Sequence, residues 1–247
     1  MRSSFDARIA RAKELAEIYP TAASLLSFYR ELARFQEPIF EHAQSDVRSL
    51  TPYFPPLLDL VREKGPAPLV RFAEEHLQDA AAREQLLVAC WQGESPHDEG
   101  RFYARVLLQP YAEHLACAAG NLPAGTGSES VCPFCTARPA VAVLRGEGDG
   151  AKRGLMCSVC ATEWEYRRVI CPGCEEENKD KLPIYVAAGF DHVRVDACDT
   201  CRTYIKSVDL TKNGHAIPVV DEIATVALNI WAEEHDYAKL EPNLLGM

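Results

Sequence analysis

Four Cys-x-x-Cys pairs crowd into one stretch of this chain: Cys132/Cys135, Cys157/Cys160, Cys171/Cys174 and Cys198/Cys201. Between Cys135 and Cys157 lie 21 residues, between Cys174 and Cys198 lie 23, and between Cys160 and Cys171 only 10. The two matching long gaps describe tandem ribbons, each closing a hairpin-sized loop between two thiolate knuckles. One Cys-x-x-Cys turn supplies two soft ligands, whereas a tetrahedral ion needs four. The spacing therefore predicts one mononuclear centre at Cys132, Cys135, Cys157 and Cys160, and a second at Cys171, Cys174, Cys198 and Cys201. Four cysteines suit zinc or iron equally.

Two other uses of paired cysteines fit less well. A redox dithiol of the thioredoxin type needs a βαβ setting, and none surrounds these pairs. Structural disulfides belong to exported chains. Here residues 1–6 run straight into a charged helical pattern without an apolar signal core. No apolar run approaches the length of a membrane span. The expectation is a cytoplasmic protein with reduced thiols, not inserted in a membrane.

The chain has 247 residues, long enough for two domains, and its 47% apolar content is that of a globular protein. Its formal net charge is −10, and each divalent tetrathiolate centre would add about −2 more. Many zinc ribbons bind nucleic acid, but that binding is driven by Lys and Arg at phosphates. An acidic chain is a poor match, so no nucleic-acid partner is expected.

Several elements must position the cysteines. From residue 5 to about 119 the pattern is helical, with Leu25, Tyr29, Leu32 and Gln36 stepping by three or four and Leu26 and Ala33 widening the stripe. Prolines punctuate this half at Pro20, Pro38, Pro52, Pro66, Pro68 and Pro96, which suits an antiparallel bundle. Pro110 lies inside a periodic stretch, where it predicts a kink or a break. Residues 120–130 are rich in turn formers and read as a linker separating two cores. Beyond them, 140–144 and 164–170 predict strands around a polar tip, and 184–188, 193–195 and 204–208 repeat the plan in the second ribbon. The tail from 221 to 236 reads as one helix, with Asp221 and Glu222 in its first turn and Ile223, Ala227 and Ile230 on its apolar face. Cys90 and Cys117 read as small buried hydrophobes, and His192 and His215 as surface histidines.

These assignments define an α+β multidomain fold: an N-terminal helical bundle, two tandem rubredoxin-like or zinc-ribbon modules and a C-terminal helix. The boundaries fall at 1–124, 129–168, 169–214 and 215–247. No acid/base pair or nucleophile motif stands out, so no catalytic residue is assigned.

The motifs Cys132-Pro133-Phe134-Cys135, Cys157-Ser158-Val159-Cys160-Ala161-Thr162-Glu163-Trp164 and Cys171-Pro172-Gly173-Cys174 resemble the formate dehydrogenase accessory protein family, FdhE. So do Cys198-Asp199-Thr200-Cys201-Arg202-Thr203-Tyr204-Ile205-Lys206 and the tail to Asn243-Leu244-Leu245. Thr136 departs from the family pattern, in which a glycine commonly follows the second cysteine of a knuckle. The resemblance implies a cytoplasmic maturation factor that binds the catalytic subunit of a molybdenum- or tungsten-dependent formate dehydrogenase, with rubredoxin-like iron in its centres. A rubredoxin-like redox protein is the alternative, and a nucleic-acid-binding zinc ribbon a further one. The oligomeric state is not legible. Tyr166, Arg167, Arg168 and Arg202, beside the knuckles, are candidate partner contacts, because Tyr and Arg combine large buried area with directed hydrogen bonds. Trp164 and Tyr204 read as covers for the metals.

Overall fold

The computed structural model describes residues 4–43, 46–94, 97–120, 129–148 and 150–247. Most of the linker expected at 120–130 lies outside them. The N-terminal half folds into α1 (Ser4–Ile18), α2 (Ala23–Glu41), α3 (Phe54–Lys64), α4 (Ala67–His76), α5 (Ala80–Trp91) and α6 (Asp98–Ala119). Their apolar stripes bury Phe5, Leu15, Leu26, Leu32, Phe54, Leu57, Tyr103 and Leu107 in one core. Prolines sit in the first turns of α3 and α4, where a missing N–H costs nothing and the fixed φ suits the helix.

Pro110 does not break the chain into two helices: α6 runs through it. A proline leaves the carbonyl four residues back without its helical donor, here that of Val106. The Gln36 side chain on α2, only 2% exposed, donates Nε2–H to this oxygen at 3.0 Å. Gln36→Leu is expected to leave that carbonyl unpaired and cost about 1–3 kcal/mol. Urea denaturation measures it, and an unchanged midpoint would refute this account.

The cysteine-bearing half forms one sheet. Its strands are β1 (Pro139–Glu147), β2 (Gly150–Cys157), β3 (Glu163–Glu165), β4 (Ile184–Tyr185), β5 (Val193–Cys198), β6 (Thr203–Asp209) and β7 (Ala238–Lys239). Their order is β3-β2-β1-β6-β5-β4, with β7 beside β6. The two modules follow each other along the chain, and they join where β1 pairs in parallel with β6, Val141 opposite Lys206. The strand expected over 164–170 stops at Glu165, and that over 184–188 stops at Tyr185.

The single tail helix is replaced by two, α7 (Pro218–Ala224) and α8 (Val226–Glu234), broken at Thr225. The break has a cause on β6. Lys206 is fully buried, and its ammonium donates to the carbonyl of Glu222 and, at 3.3 Å, to that of Thr225, capping the end of α7 with a cation. The turn also rotates the buried face. Ala227 and Ile230 are exposed, while Leu228, Asn229 and Ala232 point inward. α7 itself lies between the halves: Val220, Ile223 and Ala224 complete the helical core.

Candidate metal centres

Each cysteine pair is shaped by its own turn. In three of the four knuckles the amide one residue beyond the second cysteine closes the turn onto the first. Thr136 donates to the Cys132 carbonyl at 2.9 Å, Glu175 to Cys171 at 2.9 Å and Arg202 to Cys198 at 2.8 Å. Backbone amides also point at sulfur: Phe134 at Cys132 Sγ (3.4 Å), Val159 at Cys157 Sγ (3.3 Å) and Gly173 at Cys171 Sγ (3.2 Å). Such donors stabilise thiolates and orient them.

The turn requires a left-handed residue after each second cysteine. Thr136, Ala161, Glu175 and Arg202 have φ of 60°, 54°, 62° and 56°. None is glycine, so the departure noted at Thr136 holds at all four knuckles. Thr136→Gly and Ala161→Gly are expected to stabilise the metal-loaded protein by about 0.5–1 kcal/mol each, read from thermal unfolding. Arg202→Gly should not, because Arg202 donates to the His235 carbonyl at 2.6 Å and stacks 4.1 Å from the Tyr237 ring centroid.

The knuckles converge into the two sets of four expected from spacing, with all sulfurs of a set within 4.8 Å of one another. In the first, Cys132 lies 3.5 Å from Cys160, and Cys135 lies 3.3 Å from Cys157 and 3.6 Å from Cys160. In the second, Cys171–Cys201 and Cys174–Cys198 are both 3.7 Å. A tetrahedron with metal–sulfur bonds of about 2.3 Å has edges of about 3.8 Å, and a disulfide would need about 2.05 Å. The donor sets thus fit one ion each, and all ten cysteines are free of disulfides.

The surroundings of the two centres differ. Cys132, Cys157 and Cys160 are 1–3% exposed, packed with Trp164, Leu155 and Ala112 of α6. Trp164 covers this centre, its indole N–H held by the Glu129 carbonyl at 2.9 Å. At the second centre Cys171 and Cys198 are buried, Cys201 is half-buried and Cys174 is exposed. Tyr204 packs instead with Val195, Leu228 and Tyr237, in a cluster that holds none of the cysteines.

Sequence reasoning passed over a shared hydroxyl. Thr162 and Thr203 each stand two residues after the last cysteine of a set, with Oγ1 3.0 Å from Cys160 Sγ and Cys201 Sγ. Toward a metal-bound thiolate, each hydroxyl is the donor. Against the upward pull of burial, hydrogen bonds from Thr203 and from the neighbouring Cys174 and Cys198 hold the Cys201 thiol down to about 7. The repeated Cys-x-Thr offset was the available signal.

The proposed partner residues scatter. Arg167 and Arg168 are both exposed, because the strand ends before them and alternation no longer turns one inward. Arg167 pairs with Glu177 at 2.8 Å. Tyr166 is 2% exposed, its hydroxyl on the Cys171 carbonyl, and cannot meet a partner. Arg202 is exposed but engaged with the tail. Cys117 is exposed and Cys90 half-buried, so neither is the fully buried hydrophobe expected, and neither joins a centre. His215 is exposed, but His192 is not a surface histidine: its Nε2 lies 2.7 Å from Asp221 Oδ1.

Asp221 and Glu222, read from sequence as first-turn acids of the tail helix, are each 1% exposed and join the halves. Asp221 accepts from Arg11 of α1 through Nη2 (2.5 Å) and Nε (3.0 Å). Glu222 pairs with Lys206 at 2.8 Å and with Lys239, and accepts from Asn243 Nδ2 at 2.7 Å. From α6, Gln109 donates to the Ser158 carbonyl at 2.7 Å, fixing the Cys157/Cys160 knuckle to the helical domain.

A helical domain clasped to a sheet with two four-cysteine centres defines the class. The family model for the FdhE C-terminal domain matches residues 155–245, and that for the FdhE central domain matches 131–168. An FdhE homologue of Aquifex aeolicus is 32% identical over 214 residues, 85% of this chain and 75% of that protein. FdhE of Escherichia coli is 25% identical over 278 aligned residues, 98% of this chain and 88% of that protein. The crystal structure of the FdhE protein from Pseudomonas aeruginosa superposes with a TM-score of 0.74 at 24% identity, covering 98% of this chain and 94% of that one, a match of fold. The chain belongs to the FdhE family of formate dehydrogenase accessory proteins. Among the described residues no helix is long and apolar enough to cross a membrane.

Proposed function

We propose that this protein is a cytoplasmic, non-catalytic assembly factor that binds the catalytic subunit of a molybdenum- or tungsten-dependent formate dehydrogenase and supports its maturation. Membership of the FdhE family is the observation that carries this reading. The net charge of −10 argues against a nucleic-acid client. Cys132, Cys135, Cys157 and Cys160 would hold one ion, and Cys171, Cys174, Cys198 and Cys201 the other. Zinc would make the centres structural, whereas iron would add one-electron chemistry.

Cells lacking the protein should lose active formate dehydrogenase while keeping its transcript, and the tagged protein should capture the catalytic subunit. Arg167→Glu combined with Arg168→Glu should weaken capture without loss of metal. Normal enzyme activity in the deletion strain would overturn the reading. A redox role finds support at the second centre, where exposed Cys174 gives an electron a short route out. Anaerobically purified native protein that is colourless on oxidation and carries zinc would exclude it.

A further inference from the structure

A recess of about 220 Å³ opens between residues 168–172 and β4, next to the second centre, with Cys171 and Cys198 in its wall. Pockets for drug-sized ligands and cofactors run about 300–1,000 Å³. This one has room for one or two side chains and not for a nucleotide. Its walls are aliphatic: Val169, Ile170, Leu182 and Ile184. Val169 and Ile184 are 50% and 55% exposed, and Val186, just past β4, is 74% exposed. Side chains of this kind are seldom left in water together without a partner.

Two observations select the occupant. The first is an open edge. β4 ends the strand order and, among the described residues, pairs only with β5. A free edge with outward aliphatics is a template for an added strand. The second is charge. Three cations line the recess, Arg153, Arg168 and Lys179, against one acid, Asp196. That acid is already engaged, with Arg194 at 2.8 Å, Ser207 at 2.6 Å and, at 3.5 Å, Arg153 itself, so the uncompensated charges are those of Arg168 and Lys179. Among the described residues neither Arg168 nor Lys179 has an acidic partner, and Arg153 Nε, in the buried floor, has no hydrogen-bond partner. A positive recess on a chain of net charge −10 favours an acidic ligand.

We infer that this recess binds an extended peptide segment in which an acidic side chain stands beside aliphatic ones. The segment lies along β4 as an added strand, its aliphatic side chain in the recess and its carboxylate at Arg168 and Lys179. Only the source of the peptide, a segment of the formate dehydrogenase client, rests on the function proposed above. Its chemistry rests on the recess.

The test pans a random library of displayed short peptides against metal-loaded protein, then measures the enriched peptide by fluorescence anisotropy. The expected consensus pairs Asp or Glu with Leu, Ile or Val. Arg168→Glu with Lys179→Glu should weaken its binding about tenfold or more, with metal content and circular dichroism unchanged, and Ile184→Asp should weaken it through the apolar wall. No enrichment, a consensus without an acid, or equal binding by these variants would each overturn the inference. Capture of a formate dehydrogenase catalytic subunit is measured separately. Its failure beside an intact library consensus would count against the client and leave the peptide site standing.

Discussion

Glu222→Leu is expected to destabilise the protein by about 3–5 kcal/mol, because it strands the fully buried ammonium of Lys206 without its counter-charge. Lys206→Met combined with Glu222→Leu should recover much of that loss, since an apolar pair of similar volume avoids the desolvation of both ions. A double-mutant cycle by guanidinium denaturation measures the coupling. Simple additivity of the two losses would show that the pair is not a unit. Acid should have a parallel effect. Burial alone would raise the Glu222 carboxyl, but the charges of Lys206 and Lys239 pull it down to about 2 from 4.5. A depressed carboxyl contributes stability that is full above about pH 4.5 and lost as pH falls through about 2. In Glu222→Leu this part of the acid transition should be missing.

Loss of metal is the other large effect. Structural zinc contributes an apparent 10–16 kcal/mol in small domains, against a net stability of about 5–15 for a whole protein. Chelation should empty the second centre first, because exposed Cys174 offers the entry that the first centre lacks. Cys174→Ser should therefore cost one ion per chain, while Cys157→Ser should cost helix as well. The first centre packs on Ala112 of α6, and Gln109 holds Ser158. Residues 120–130 suggested that damage to either ribbon would stay local; the packing places a ribbon and a helix in one cluster. Elemental analysis with far-ultraviolet circular dichroism distinguishes the two outcomes. Full helicity in Cys157→Ser would show that the halves fold independently.

The two four-cysteine sets, the helical half and the repeat of two ribbons were all legible in the linear chain. Each is a local property: a Cys-x-x-Cys turn makes its own geometry, and the residue count between turns decides which pairs can meet around a hairpin. Helical stripes likewise write their period into neighbouring residues. Three features depended on partners remote in sequence and could not be read this way. Pro110 stays within a continuous helix because Gln36, 70 residues from Val106, supplies the missing donor. Asp221 read only as a first-turn acid because its partner Arg11 is 210 residues away. The tail helix breaks at Thr225 because Lys206, 19 residues earlier on β6, takes its carbonyls. Polar groups such as Gln36, Asp221 and Lys206 resemble surface residues in any local window. Burial selects them once the fold brings their counterparts within hydrogen-bonding distance, since an unpaired polar group there would cost more than the pairing returns.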